Sequence, residues 1–236
     1  MRAADQGAGT QRPVQATVQR EAASQTKVIV TIGRAYGAGG RIIGKLVAER
    51  LGIPYYDSEL LEKAAVSSGL SQKLLESVDE KAVKSSMLYS YMGFVSDAYS
   101  RIENISNQAQ REIIEAVAAE GACVIVGRRA DRILQDREGL LRVFITASVP
   151  IRAARAAQWE QMTEQESLQK VKRVDRERAR YYNQHAAASW GVPENYDLCI
   201  DTDKLAMETA ADIIVYAAAQ QAETAEGSAN GSVGIA

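Results

Sequence analysis

Short runs of β-branched and apolar residues alternate along this chain with stretches in which apolar residues recur every three or four positions. The continuous runs predict buried strands at 28–32, 53–57, 122–126, 141–146 and 196–201. Helical spacing is clearest at 42–51 and 97–120, which end at Gly52 and Gly121. Strands that alternate with helices predict a parallel sheet with helices on both faces, a three-layer α/β/α domain.

Capping residues place the starts of further helices. Pro150 suits the first turn of one helix. Thr163 and Glu166 have the spacing of a capping box and begin another. Ser58 follows the second strand as the predicted N-cap of a third. A final packing helix is marked by Leu205, Ile213, Ile214 and Tyr216.

The composition narrows the class of protein. A chain of 236 residues that is 46% hydrophobic and 25% charged fits one large domain or a domain with an insert. A net charge of −2 does not favour a nucleic-acid or membrane partner. Cys123 and Cys199 are predicted to be buried free thiols, and a single histidine, His185, argues against a zinc site. No apolar run has the length of a membrane span or signal peptide, so we expect a cytoplasmic protein.

Local composition divides the chain into a domain and two tails. The expected parts are a disordered tail at 1–25, a domain at 26–221 with a helical insert at about 58–96 and a lid region at about 160–192, and a second tail at 222–236. The aromatic and methionine cluster at 87–94 would pack the core of the insert, act as a substrate lid, or form a homodimer contact.

The segment from Gly33 to Gly40 holds four glycines in eight residues between a strand and a helix. Glycines let the backbone wrap an anion, and a helix start presents free N–H groups and a positive dipole end. This layout indicates a phosphate-binding loop. The alternative is a glycine-rich turn that binds nothing.

The loop differs from the common G-x-x-x-x-G-K-[ST] pattern in two ways. Gly40 stands where the lysine is expected, and Arg41 and Ile42 follow, so there is no Ser or Thr hydroxyl for a magnesium ion. No metal-ligating residue is therefore assigned. Arg41, Lys45 or Arg34 could replace the lysine, and Arg41 is the preferred candidate.

Charged residues at the carboxyl ends of strands are further candidates, because open α/β sheets bind ligands there. Asp57 ends the second strand; it contacts the ligand or merely caps the next helix. Arg128 and Arg129 follow the third strand, where guanidinium groups could clamp phosphate, unless they are surface residues of an ordinary turn.

The helix after Thr163 is strongly charged. Such helices usually face solvent, but one side carries Lys172, Asp175 and Arg178 at three-residue spacing, with Arg173 adjacent. That arrangement would suit a lid that closes basic groups over a polyphosphate.

Taken together, these segments resemble the cytidylate kinase-like family of P-loop nucleoside monophosphate kinases. The resemblance covers about 27–219 and is carried by the runs Gly33–Arg41, Leu51–Asp57, Val126–Arg128, Phe144–Ala147, Asp175–Tyr182, Trp190–Gly191 and Tyr196–Thr202. It implies a five-stranded parallel sheet, a helical insert that binds the nucleoside monophosphate, and a lid. It also implies ATP or a related triphosphate as donor, Mg²⁺ bridging its phosphates, and a pyrimidine monophosphate as acceptor.

The resemblance also implies roles for single residues. Donor phosphates would be held by the loop residues Tyr36, Gly37, Ala38, Gly39, Gly40, Arg41 and Ile42. Asp57 would lie near the acceptor, and Arg128 would contact its phosphate. Lys172, Asp175 and Arg178 match the spaced pattern of the lid.

The expected function is ATP-dependent phosphorylation of a nucleoside monophosphate, with CMP the leading acceptor and Arg41, Arg128 and Arg178 as catalytic candidates. Arg129 stands where the family has an aspartate, so cytidine specificity is not supported by that residue. Two alternatives stay open: a nucleotide-binding regulator with little turnover, and a kinase of another small metabolite.

Overall fold

The structure, a computed structural model, describes residues 28–61 and 95–230. The predicted tail at 1–25, most of the helical insert and the cluster at 87–94 lie outside these residues.

The described residues form one parallel sheet with the strand order β2-β3-β1-β4-β5. Its strands are β1 Ile29–Arg34, β2 Tyr55–Tyr56, β3 Cys123–Val126, β4 Leu140–Thr146 and β5 Leu198–Asp201. β1 lies at the centre, with Ile29 in register with Cys123 of β3 and Leu140 of β4. The loops that follow β1 and β3 therefore leave the same edge of the sheet side by side, which creates a natural ligand site.

Helices cover both faces of the sheet. They are α1 Gly40–Leu51, α2 Val95–Glu120, α3 Ala130–Ile133, α4 Val149–Glu160, α5 Glu164–His185 and α6 Met207–Asn230, with a 3-10 turn at Pro193–Asn195. Within the described ranges no helix is long and apolar enough to cross a membrane.

Alternate residues of the central strand point into two separate cores. Val30 and Ile32 pack with α1 and α6 on one face, whereas Ile29 packs with Ile114 of α2 on the other. Each of these four side chains is at most 1% exposed. The predicted three-layer α/β/α fold is confirmed.

The α4–α5 pair forms a smaller core from Ala153, Ala156 and Val171. The predicted capping box begins α5: the Thr163 hydroxyl accepts a hydrogen bond from the Glu166 N–H, and the Glu166 carboxylate accepts one from the Thr163 N–H at 2.9 Å. Pro150 lies in the first turn of α4, as predicted.

The Thr163→Ala variant should lose about 1 kcal/mol of unfolding free energy, because an N-cap hydroxyl satisfies a helix N–H that alanine leaves exposed. Thr163→Ser keeps that oxygen and should remain close to wild type. Urea denaturation of both variants measures the difference, and equal loss in the two would contradict a capping role.

Three local predictions need correction. Ser58 is not an N-cap: Asp57 Oδ1 accepts hydrogen bonds from the N–H groups of Glu59 and Leu60, so the helix begins one residue earlier. Cys199 is exposed whereas Cys123 is buried, since β5 is an edge strand and presents one face to solvent.

The third correction concerns α6. Its buried face is formed by alanines together with Ile214 and Val215, whereas Ile213 is 37% and Tyr216 61% exposed. Ala210 and Ala211 lie against α1 in the same core. The helix runs to Asn230, past the boundary expected at 221, and Ala222 is still buried.

Candidate active site

The glycine-rich loop adopts the backbone that its sequence predicts. Gly37 and Gly39 have φ values of +80° and +87°, a region that residues with a Cβ rarely occupy. Gly39 is the N-cap of α1 and has no side-chain cap, so the first N–H groups of the helix face the loop. Free N–H groups at the start of a helix form an anion-binding site.

One side of the loop is held by a partly buried ion pair between α4 and α5. Arg152 Nη1 lies 2.5 Å from Asp175 Oδ2 and donates to the Tyr36 carbonyl at 3.0 Å. Asp175 Oδ1 accepts a hydrogen bond from the Tyr36 N–H at 2.8 Å. Both polar groups of the Tyr36 backbone are therefore fixed by this pair, which we call the loop clamp.

The other side of the loop contacts the end of β5. The hydroxyl of Thr202, which is fully buried, lies 3.1 Å from the Ala38 carbonyl. Arg155 of α4 donates to that hydroxyl at 2.9 Å and to the Thr202 carbonyl at 2.7 Å. The helix α4 thus supplies one arginine to each side of the loop.

The side chain of Tyr36 extends along α5. Its hydroxyl donates to Glu160, which also pairs with Lys170. The guanidinium of Arg178 lies 5.5 Å from the ring centroid. Burial, and next the bond to Glu160, raise the pKa of the Tyr36 phenol. The hydroxyl therefore stays protonated at neutral pH and acts as a structural contact.

A cavity of about 60 Å³ lies beside the loop at the carboxyl ends of β1 and β3. Its lining includes four arginines and four aromatic residues: Arg34, Arg128, Arg129, Arg178, Tyr181, Tyr182, Trp190 and Tyr196. The lining also contains one carboxylate within the described residues, Asp131, which accepts a hydrogen bond from the Tyr182 hydroxyl at 2.6 Å. Guanidinium groups beside aromatic faces suit a ligand that carries both phosphate and a planar ring.

The backbone that brings two of these arginines to the cavity is strained. Gly127, Arg128 and Arg129 all have positive φ, at 84°, 56° and 56°. Residues with a Cβ seldom adopt this conformation, and it is concentrated at functional sites. The turn places Arg128 two residues after the end of β3.

The contacts of Arg129 differ from the phosphate contact that the sequence suggests for it. It donates to the His185 carbonyl at 2.9 Å and to Asn107 Oδ1 at 3.4 Å, and lies 5.0 Å from the Tyr181 ring centroid. It therefore ties α2 to α5. Its Nε is buried and has no hydrogen-bond partner among the described residues.

Asp57 caps the helix that follows it and also contacts Arg41. Its Oδ1 caps the following helix, while its Oδ2 lies 3.4 Å from Arg41 Nε and accepts a hydrogen bond from Tyr55 at the same distance. The Arg41 side chain is 55% exposed. Arg41 thus contacts Asp57 and does not line the cavity.

The charged positions of α5 separate into two groups. Asp175 and Arg178 face the loop, and Arg178 Nη1 donates to the Arg34 carbonyl at 3.0 Å. Lys172 and Arg173 lie in a different place, along a groove of about 760 Å³ at the α4–α5 turn. The structure therefore does not bring all four residues to one ligand.

Sequence reasoning missed the roles of Arg152, Arg155 and Thr202. Their signals are weak, because two are ordinary arginines of a helix and the third is a threonine at the end of a strand. The alternation of arginine with buried alanines in α4 was the available clue, since Ala153 and Ala156 mark the face that meets α5.

Comparison with known proteins identifies the family. Its sequence profile, described as the cytidylate kinase-like family, matches residues 29–204, which include the loop, the clamp and all the residues around the cavity. The chain belongs to the cytidylate kinase-like family. The resemblance seen in the sequence is thereby confirmed.

Proteins that are similar to this chain match most of its length. The cytidylate kinase of Pyrococcus horikoshii is 27% identical over 188 residues, covering 77% of this chain and 83% of that protein. The cytidylate kinase of Methanothrix thermoacetophila is 25% identical over 178 residues, covering 75% and 90%. An uncharacterized protein from Eubacterium ventriosum has a crystal structure with a TM-score of 0.63 at 27% identity, covering 81% of this chain and 98% of that one.

Proposed function

We propose that this member of the cytidylate kinase-like family is a nucleoside monophosphate kinase, which transfers the γ-phosphoryl group of ATP to CMP. The observation that carries the proposal is the position of the arginine-lined cavity next to the glycine loop. The loop and the start of α1 suit a donor triphosphate. Arg128, on its strained turn at the end of β3, suits the acceptor phosphate.

Catalysis of phosphoryl transfer depends mainly on alignment and charge neutralisation. In this proposal the loop N–H groups hold the donor phosphates, and the loop clamp fixes the backbone that presents them. Arg128 and Arg178 neutralise charge on the acceptor and on the transferred group. The rings of Tyr181, Trp190 and Tyr196 pack beside the planar base.

The fit of Mg²⁺ can be tested on the loop residues. Neither Arg41 nor Ile42 offers a hydroxyl, and the described residues contain no group of three or more acidic, histidine or cysteine side chains that could hold a metal. The loop therefore supplies no Ser or Thr hydroxyl ligand for magnesium. We propose that Mg²⁺ enters with ATP, bound by phosphate oxygens and water.

A coupled assay of ADP release tests the function, with ATP, Mg²⁺ and each of CMP, UMP, AMP and GMP. We expect turnover with CMP to exceed that with the other monophosphates. The Arg128→Met variant should lower kcat/KM for the monophosphate about tenfold to a hundredfold, because a charge-assisted contact is lost. Arg111→Met, which removes an exposed cation of α2 paired with Glu115, is the charge-matched control.

The absence of the loop lysine favours one second candidate, a nucleotide-binding regulator with little turnover. That protein would bind ATP in calorimetry but release no ADP with any of the monophosphates. Such a result would end the kinase proposal.

A further inference from the structure

The space that a side chain at position 40 would need is occupied by the side chain of Arg34. A Cβ placed on Gly40 would lie 2.6 Å from Arg34 Cβ and 2.8 Å from Arg34 Cγ. Contacts this short are not tolerated, and they involve the first atoms of the arginine, which cannot swing away. The three heavy atoms nearest to that Cβ all belong to Arg34. With Arg34 in this conformation, position 40 therefore has room only for glycine.

The rest of Arg34 continues to the end of the neighbouring strand. A Cβ on Gly127 would lie 2.0 Å from Arg34 Nη1, so the guanidinium covers this glycine. The side chain thus begins at the carboxyl end of β1, crosses the start of α1 and ends beside Arg128 at the carboxyl end of β3. It joins the donor loop to the arginine-lined cavity.

The guanidinium of Arg34 has cations for neighbours. No carboxylate of the described residues forms an ion pair with it. The two carboxylates beside the loop pair with other arginines, Asp175 with Arg152 and Asp57 with Arg41. Burial, followed by the charge of Arg178, lowers the pKa of Arg34 to about 9. A partly buried cation without a counterion is costly, and this cost is relieved when an anion binds.

We propose that Arg34 performs the task of the absent loop lysine by binding the terminal phosphate of the donor triphosphate, and that Gly40 provides the space for its side chain. The inference rests on the proposed kinase function for its catalytic part, but not for anion binding. In the transfer step, the bond from the γ-phosphorus to the β–γ bridging oxygen breaks while a bond to an acceptor phosphate oxygen forms. Arg34 stabilises the charge on the γ-oxygens and exchanges no proton.

The first test removes the charge and keeps the stem. Arg34→Met should weaken binding of inorganic tripolyphosphate about tenfold in calorimetry, and should lower kcat about a hundredfold, by comparison with losses of single transition-state donors. Arg34→Lys should retain part of both. Arg111→Met should match wild type in each measurement. Thermal unfolding of every variant shows that it is folded.

The second test exchanges the two positions. Gly40→Lys alone should be inactive, because its Cβ meets Arg34. Arg34→Gly combined with Gly40→Lys removes that contact and restores the standard loop lysine, so its kcat should be at least tenfold above either single variant. Failure of the double variant to exceed both singles would contradict the exchange.

The outcomes separate this inference from the kinase proposal. Unchanged tripolyphosphate affinity in folded Arg34→Met would overturn the role of Arg34 whatever the enzyme activity. If Arg34→Met binds tripolyphosphate more weakly than wild type, and wild type shows no turnover, Arg34 is supported as an anion ligand and the kinase function is rejected.

Discussion

Replacement of Asp175 by alanine is expected to lower the unfolding free energy of the free protein by about 3 kcal/mol. The variant leaves the guanidinium of Arg152 without its counterion, although the Arg152 side chain is only 8% exposed. It also removes the acceptor for the Tyr36 N–H. Urea denaturation without nucleotide measures the effect, and nucleotide binding should weaken because the loop loses its fixed backbone.

The matched control is Asp212→Ala, which breaks the ion pair between Arg50 and the 71% exposed side chain of Asp212. Exposed pairs contribute about 0–1 kcal/mol, so this variant should stay near wild type. Asp175→Asn keeps an oxygen for the Tyr36 N–H, so its unfolding free energy should lie between those of Asp175→Ala and wild type. If Asp175 acted only as a residue of the lid, the role that the sequence resemblance implies, Asp175→Ala would leave the free protein as stable as wild type.

The Gly37→Ala variant should lose about 3 kcal/mol of unfolding free energy, from the cost of positive φ and from overpacking. The added Cβ would lie 2.4 Å from the carbonyl oxygen of Arg152, a backbone atom that α4 holds in place. Accommodation would require the loop and α4 to separate, so the loop clamp would be lost as well. Chemical denaturation and calorimetry with ATP are the measurements.

Gly52→Ala provides the comparison for Gly37. Gly52 has φ +67° at the end of α1, but a Cβ there would have no neighbour within 4 Å. Its loss should be about 1 kcal/mol, which is the cost of the left-handed conformation alone. Equal losses in the two variants would show that the loop does not press on α4.

Much of the fold follows from local pattern. The β-branched run before the glycine loop and the helical spacing after it identify β1 and α1, and the pattern Thr163–Glu166 identifies the start of α5. Each of these signals lies within a few neighbouring positions. The exposed face of β5 could not be inferred in this way, because it depends on which strand lies at the edge of the sheet.

The site is less accessible to sequence reasoning, since its contacts join distant positions. Arg152 and Tyr36 are 116 positions apart, and nothing near either residue indicates the partner. The sequence favours Arg41 as the replacement for lysine, because Arg41 directly follows Gly40. Its guanidinium instead contacts Asp57, whereas Arg34 shares the space next to Gly40.

The central place of β1 in the sheet has a consequence for synthesis of the chain. Ile29 pairs with Cys123 and Leu140, so β1 cannot acquire either neighbour until about 90 further residues have been made. At typical elongation rates that delay is roughly 5–20 s. During this time an apolar strand lacks its hydrogen-bonding partners, and the nascent chain is exposed to aggregation or chaperone binding until β3 emerges from the ribosome.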